Sequence, residues 1–265
     1  MSDDKSWAGL GFEDVQTPFE GPTQRARIWT EAWVARSMFC PSCGAESISQ
    51  FPANRQLADF ECRGCREEYE LKAQRTRFGA KVLDGAYGAK LKRLAADNNP
   101  NLLLLNYDRT RMSVTDLVVV PKHFFTADII EPRKPLGPTA RRAGWQGSHI
   151  RLASVPLSGK IALVRDSILV PKATVLGRWR ETLFLRDESL RRRGWLIDVM
   201  RCVERIGRAE FTLDDVYAFE PHLSGLYPDN RNVRPKIRQQ LQMLRDHGWL
   251  EFEGRGRYRR HVPVR

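Results

Sequence analysis

Four cysteines occur as two C-x-x-C pairs, Cys40 with Cys43 and Cys62 with Cys65, and 18 residues separate the pairs. Thiolate sulfur is a preferred ligand of Zn²⁺, and a closed structural site takes four such ligands in tetrahedral geometry. The spacing therefore predicts a four-cysteine zinc ribbon rather than four unrelated cysteines. The fifth cysteine, Cys202, lies in an apolar helical context and is predicted to be a buried thiol.

A carboxylate and an E-x-K triplet are interleaved with this ribbon, as Asp59 and as Glu70 with Lys72. On a strand, alternation would place Glu70 and Lys72 on one face and Tyr69 and Leu71 on the other. Carboxylate oxygens suit Mg²⁺, and a lysine beside them can orient or help to deprotonate a water molecule. We predict that Asp59, Glu70 and Lys72 are the catalytic residues of a nuclease, with Asp59 and Glu70 as magnesium ligands. Triplets of this kind also occur by chance in basic proteins.

Two short strands must position these residues. Segments 57–60 and 69–72 are predicted to form a hairpin, with the second cysteine pair between its strands. A helix is predicted over residues 23–38, with Thr23 as its N-cap. Glu31 on that helix is interpreted as an ion-pair partner, and metal contact is the alternative.

The chain then alternates between helices and strands. We predict a helix over residues 84–97, strands over 101–107, 115–120 and 161–164, and a connecting helix over 173–186. This order is typical of an α/β domain.

A loop is predicted over residues 131–149, which contain three prolines, three glycines and four basic residues. Arg141, Arg142 and Trp145 in this loop are candidates for contact with DNA. The alternative is a surface loop in which Trp145 packs on its own domain.

The pattern changes at residue 187. Helices over 189–206 and 233–247, a helix that begins at Thr212 and a hairpin near the C-terminus predict a winged helix-turn-helix domain. A helical dimerisation module is the alternative. Exposed polar side chains on the third helix and at the wing are candidate DNA contacts: Arg234, Arg238, Gln239, Gln242, Arg255 and Arg257.

Composition supports a nucleic-acid partner. The 265 residues carry a formal charge of +12 and the pI is near 9.8, which favours polyanion binding. Metal-type cysteine spacing indicates a reducing compartment. The absence of a long apolar run and of a signal peptide argues against a membrane protein, and we expect a cytoplasmic monomer.

Long collinear stretches of the chain resemble the DpnI family of methyl-directed restriction endonucleases. The match covers roughly residues 23–260 and is specific because of its length. The stretches that carry it are 27–34, 40–44, 58–65, 68–72, 84–87, 96–101, 138–145, 210–215, 236–242 and 254–259.

This resemblance implies an α/β PD-(D/E)XK nuclease domain with an inserted four-cysteine zinc ribbon and a C-terminal winged helix-turn-helix domain. The expected boundaries are a flexible arm over 1–22, the nuclease domain over 23–186 and the winged helix over 187–265. The implied activity is that of a type II enzyme that cleaves double-stranded DNA at GATC sites with N6-methyladenine, with catalytic Mg²⁺ and structural Zn²⁺. The proline of the family motif is replaced here by Ala58, which leaves the carboxylate of Asp59 in place.

A non-enzymatic regulator with a zinc ribbon and a winged helix is the alternative function. It accounts for the cysteines, the positive charge and the C-terminal helices. It gives no reason for two carboxylates and a lysine at strand spacing beside the ribbon.

Overall fold

The computed structural model describes residues 9–13, 21–52 and 58–260. These residues form two compact units, one comprising the described residues up to Leu152 with Lys160–Arg180, the other Ala153–Gly159 with the residues from Glu181 onward. Most of the predicted arm over 1–22 lies outside the described residues, and so does position 57 of the predicted hairpin. No described helix is both long enough and apolar enough to span a bilayer.

The first unit is an α/β domain. In chain order its helices and strands are α1 (Pro22–Ser37), β1 (Ser49–Gln50), β2 (Phe60–Glu61), β3 (Glu68–Gln74), β4 (Lys81–Ala86), α2 (Tyr87–Ala95), β5 (Asn101–Asp108), β6 (Ser113–Val120), β7 (Ile130–Pro132), β8 (Gly147–Arg151), β9 (Ile161–Arg165), β10 (Ile168–Leu169) and α3 (Lys172–Arg180).

A seven-stranded mixed sheet in the order β1-β2-β3-β5-β6-β9-β10 forms its centre. Strands β3 and β5 pair in parallel, and the other neighbours are antiparallel. The leucine run of β5, residues 102–105, is buried on both faces, as expected of a central strand. This pairing fixes β3, with Glu70 opposite Leu102 and Lys72 opposite Leu104.

A smaller sheet of the first unit has the order β4-β8-β7. The predicted helix over 84–97 is therefore wrong at its start, because residues 81–86 pair with β8 and the helix begins only at Tyr87. Alternation along β4 buries Val82 and Asp84. The predicted loop over 131–149 likewise has β7 and β8 at its ends.

The predicted helix over 23–38 and the strands over 101–107, 115–120 and 161–164 are confirmed with shifts of one or two residues at their ends. The predicted connecting helix over 173–186 ends early, because α3 stops at Arg180 and a separate 3-10 turn covers Leu183–Asp187. The hairpin is observed with Phe60 opposite Tyr69. Thr23 is not the N-cap of α1, because Pro22 occupies the first helical position and Gly21 precedes it. Proline is favoured there since its missing N–H has no helical partner in any case.

The second unit consists of helices and a small antiparallel sheet. Its main elements are α4 (Leu190–Ile206), β11 (Glu210–Thr212), α5 (Leu213–Tyr217), α6 (Glu220–Leu226), α7 (Val233–Asp246), β12 (Leu250–Gly254) and β13 (Arg257–Arg260), with sheet order β11-β13-β12.

Local sequence explains where these helices begin and end. The side chains of Thr212 and Asp215 form a reciprocal capping box at the start of α5, as the sequence predicts. Gly207 after α4 adopts a left-handed φ of 75°, the conformation that commonly ends a helix. One buried stripe of α7, formed by Ile237, Leu241 and Leu244, leaves the remaining faces polar.

Candidate active site and metal centre

The four cysteines of the C-x-x-C pairs form one cluster. Their sulfur atoms all lie within 4.8 Å of one another, a donor set that could hold a metal ion such as zinc. Cys40 Sγ lies 3.6 Å from Cys65 Sγ, and Cys43 Sγ lies 3.6 Å from Cys62 Sγ. The cluster follows from the β2–β3 hairpin, because Cys62 and Cys65 occupy the connection between its strands.

Burial is the main influence on the pKa values of these thiols. Burial raises the pKa of Cys65 to about 11 and raises that of Cys40 further. For Cys62, burial also favours the thiol, but backbone N–H groups of Cys65 and Gly64 outweigh it and lower the pKa. Metal coordination requires thiolates, so loading this centre would release protons.

The predicted catalytic residues line one cleft of the first unit. Asp59 directly precedes β2, while Glu70 and Lys72 lie on β3. The cleft has a volume of about 620 Å³ and is also lined by residues of α1 and by exposed arginines, including Arg75 and Arg109. The structure therefore brings together the three side chains that the sequence places 11 and 2 residues apart.

Backbone hydrogen bonds hold Asp59 against β3. Its N–H donates to the carbonyl oxygen of Tyr69 at 2.9 Å, and its Oδ2 accepts from the N–H of Leu71 at 2.7 Å. Burial raises the pKa of the Asp59 carboxyl above its ordinary value, and the negative charges of Glu31 and Glu70 add to the rise. A divalent cation between these carboxylates would reduce the electrostatic repulsion among their negative charges.

Lys72 is paired with two carboxylates. Its Nζ lies 2.7 Å from Glu70 Oε1 and 2.9 Å from Asp84 Oδ1. Burial alone would lower the pKa of Lys72, but the charges of Glu70 and Asp84 outweigh it and raise the pKa well above its usual range. Lys72 is therefore an ammonium group at neutral pH.

Asp84 and Lys90 complete this network and were missed by the sequence analysis. Lys90 Nζ lies 2.5 Å from Glu70 Oε2 and 2.9 Å from Asp84 Oδ2. The Asp84 side chain has no exposed surface. Burial would raise its pKa, but Lys90 and Lys72 hold that pKa below the ordinary value. Alternation over residues 81–86 could have identified Asp84, whereas nothing in the sequence marks Lys90.

Glu31 on α1 lies at the same cleft. It forms the expected ion pair, with Arg27 Nε 2.5 Å from Glu31 Oε1. The Gln50 side chain donates a hydrogen bond of 2.9 Å to its other oxygen. Both Glu31 oxygens thus have partners within the protein.

The basic loop between β7 and β8 is closed by its own backbone. The N–H of Leu136 donates to the carbonyl oxygen of Trp145, and that of Trp145 donates to the carbonyl oxygen of Arg142. Arg141 and Arg142 are exposed, and Trp145 is half-buried. The Trp145 ring covers Gly147, where an added Cβ would lie 2.9 Å from it. Among the described residues, those that line the cleft do not include this loop.

The candidate DNA contacts of the second unit lie at the surface. Two arginines of α7 stack on one aromatic ring, since the guanidinium carbons of Arg234 and Arg238 lie 5.0 and 5.6 Å from the centre of Tyr217. Arg234 also pairs with Glu220 at 2.7 Å. Gln239 and Gln242 on α7, and Arg255 and Arg257 at the wing, are all exposed.

Comparison with known families accounts for both units. A sequence model of DpnI, the Dam-replacing family, matches residues 12–188. The chain belongs to the Dam-replacing family. A model of the Dam-replacing helix-turn-helix domain matches residues 191–260, and the resemblance found in the sequence is confirmed.

Membership of the Dam-replacing family implies a methylation-dependent restriction endonuclease that acts on DNA and has a helix-turn-helix domain. The mixed α/β sheet and the four-cysteine cluster fit the predicted α/β class and the predicted zinc ribbon.

Replacing one cysteine tests whether the four-cysteine cluster is a structural metal centre. We expect Cys62→Ser to reduce zinc from about one ion per chain to none, because a closed site needs four ligands. Unfolding of the first unit should then occur at lower temperature, since structural zinc in small modules contributes on the order of 10 kcal/mol. Elemental analysis and calorimetry measure both effects. Cys202→Ala is the control and should retain zinc; undiminished zinc in Cys62→Ser would contradict the assignment.

The raised pKa of Asp59 predicts that this carboxyl lowers the stability of the fold to an extent that depends on pH. Its carboxyl is more readily protonated in the folded than in the unfolded state, so this group destabilises the fold as pH rises through its folded pKa. In buffer without Mg²⁺, Asp59→Asn should therefore raise the melting temperature at pH 7, and the gain should shrink as the pH falls toward about 4, near the ordinary carboxyl pKa. Asp229→Asn, which removes an exposed carboxylate of the second unit, is the control measured in parallel. A pH-independent difference for Asp59→Asn would refute the electrostatic explanation.

Proposed function

We propose that this protein is a type II restriction endonuclease of the PD-(D/E)XK class that cleaves double-stranded DNA at GATC sites containing N6-methyladenine. Hydrolysis of the phosphodiester bond depends on Mg²⁺ in this proposal. The observation that carries it is the convergence of Asp59, Glu70 and Lys72 on one cleft with an arginine-bearing rim.

The side chains at this cleft are suited to a hard divalent cation. Asp59 and Glu70 would hold Mg²⁺ because it prefers carboxylate oxygen, and the repulsion between these groups already contributes to the raised pKa of Asp59. When bound, the ion would neutralise charge on the scissile phosphate and increase the acidity of water.

Lys72 contributes fixed positive charge in this mechanism. The pKa of its ammonium is held high by Glu70 and Asp84, so it is poorly suited to accept a proton. It would instead donate hydrogen bonds that orient the attacking water and stabilise negative charge that develops on the phosphate.

The four-cysteine cluster has a structural role in this proposal. Four sulfur donors fill a tetrahedral shell and leave no open position for a substrate. Bound Zn²⁺ would fix the connection between β2 and β3, and therefore the segment that carries Asp59 and Glu70.

Recognition of the methylated site is assigned to both units. Helix α7 would enter the major groove with Arg234, Arg238, Gln239 and Gln242, while Arg255 and Arg257 contact phosphates. Arg141, Arg142 and Trp145 would contact DNA from the first unit. A methyl group contributes only about 1–3 kcal/mol of discrimination, so two readers in one monomer would multiply a modest preference.

The regulator hypothesis is not favoured. The match of the helix-turn-helix domain would agree with a regulator. A DNA-binding regulator, however, needs no cleft in which carboxylates are paired with half-buried lysines. The match of the Dam-replacing family over residues 12–188 covers the unit that contains this cleft.

Cleavage assays test the catalytic assignment. The wild-type protein with Mg²⁺ should cut a plasmid methylated at GATC adenines and leave an unmethylated plasmid intact. Asp59→Ala, Glu70→Ala and Lys72→Ala should each lower the rate by about two to four orders of magnitude, because each removes charge at the reacting phosphate. DNA affinity measured without Mg²⁺ should change little. If the wild-type protein leaves the methylated plasmid intact at high concentration, the nuclease proposal is wrong.

The two-reader proposal concerns binding rather than cleavage. Full-length protein should bind GATC duplexes with increasing affinity as they carry none, one or two methyl groups. The double variants Arg234→Ala/Arg238→Ala and Arg141→Ala/Arg142→Ala should each retain part of this preference while binding more weakly. Fluorescence anisotropy without Mg²⁺ measures the affinity of each protein for each duplex. If one double variant retains the full preference and the other loses all of it, a single unit reads the methyl group.

A further inference from the structure

Both carboxylate oxygens of Glu70 are already in contact with ammonium groups. Lys72 Nζ lies 2.7 Å from Oε1 and Lys90 Nζ lies 2.5 Å from Oε2. The exposed fractions of the three side chains are 18%, 24% and 17%, so solvent screens these contacts only partly. The two oxygens of Glu70 that the proposed function assigns to Mg²⁺ are thus each in contact with an ammonium group.

Lys90 is held in this position by its own surroundings. It lies on α2, which begins directly after β4, and its Nζ is 2.9 Å from Asp84 Oδ2 on that strand. Asp84 in turn contacts Lys72 Nζ at 2.9 Å. The four side chains therefore form a closed ring in which each carboxylate contacts both lysines.

The formal charges of this ring cancel. Glu70 and Asp84 contribute two negative charges, and Lys72 and Lys90 contribute two positive charges. Without Lys90 the ring would carry a net negative charge beside Asp59, which lines the same cleft. A divalent cation at Glu70 Oε2 would then be repelled by one positive charge fewer.

We propose that Lys90 is a positioning residue that acts as an internal counter-ion of Glu70, and that its positive charge lowers the affinity of the site for a divalent cation. This inference rests on the proposed function, since it assumes that Glu70 is a metal ligand. Cation binding to Glu70 then requires Lys90 to give up its contact with Glu70 Oε2, because an ammonium group that stays there repels the cation.

The test variant is Lys90→Gln, in the full chain with its zinc centre loaded. The amide can still donate a hydrogen bond to the buried Asp84, and the positive charge is removed. Lys92→Gln is the matched control, because Lys92 lies on the same helix at an exposed position. Thermal unfolding of both variants establishes that they are folded.

Binding of Mn²⁺, which favours carboxylate ligands, is measured in the absence of DNA from the electron paramagnetic resonance signal of the free ion. We expect Lys90→Gln to bind Mn²⁺ on the order of tenfold more tightly than wild type, as removal of one nearby like charge implies. The Mg²⁺ concentration for half-maximal cleavage should fall in parallel, and Lys92→Gln should match wild type. Disruption of the site would weaken binding instead, so unchanged or weaker Mn²⁺ affinity in Lys90→Gln overturns the proposal.

A second measurement needs no variant and applies if Lys90→Gln fails to fold. Crystal structures of the wild-type protein with and without Mn²⁺ should differ in the distance between Lys90 Nζ and Glu70 Oε2, which should lengthen on cation binding. A contact that remains at 2.5 Å with Mn²⁺ bound to Glu70 contradicts the proposal. Failure of the proposed function is distinct, because wild type would then show neither Mn²⁺ bound at Glu70 nor cleavage with Mg²⁺.

Discussion

The burial of one carboxylate constrains the arrangement of the whole cleft. An ionised side chain without exposed surface is strongly unfavourable unless positive charge lies in contact with it, and Asp84 meets this condition through Lys72 and Lys90 at 2.9 Å each. Those lysines come from a strand of the large sheet and from helix α2, while Asp84 comes from the small sheet. Three elements must therefore be in register before the ring can close, and Glu70 is oriented as a consequence.

Alternation along β3 connects the metal centre with the cleft. Tyr69 is fully buried and its hydroxyl lies 3.1 Å from Cys40 Sγ, whereas the next residue, Glu70, belongs to the ion-paired ring. The backbone of the same strand binds Asp59 at two points, through Tyr69 and Leu71. A displacement of the cysteine cluster would thus be transmitted to Asp59 and Glu70 through only one or two peptide units of β3.

The sequence predicted those features that depend on local spacing. The cysteine cluster follows from two C-x-x-C pairs, the Glu70–Lys72 face from a period of two, and the start of α5 from the Thr212–Asp215 capping box. The first residues of the predicted helix over 84–97, Asp84 to Ala86, belong instead to strand β4. Their true state depends on pairing with β8, about 60 residues later, and Lys90 becomes part of the site only through that pairing. Long-range contacts of this kind leave no local signal.

In the proposed function, the charge-neutral ring of Glu70, Asp84, Lys72 and Lys90 also means that DNA affinity and catalysis depend on different residues. Because the charges of Glu70, Asp84 and the two lysines cancel, the centre of the cleft attracts a phosphate only weakly, and an ionised Asp59 repels it. In the proposed function, attraction would come from basic residues outside the ring, such as the exposed Arg75 and Arg109 of the cleft, and from the exposed arginines of the loop and of α7. A formal charge of +12 supplies this long-range attraction without sequence preference. In this proposal the acidic residues serve cation binding and water orientation, while the arginines outside the ring supply the affinity for DNA.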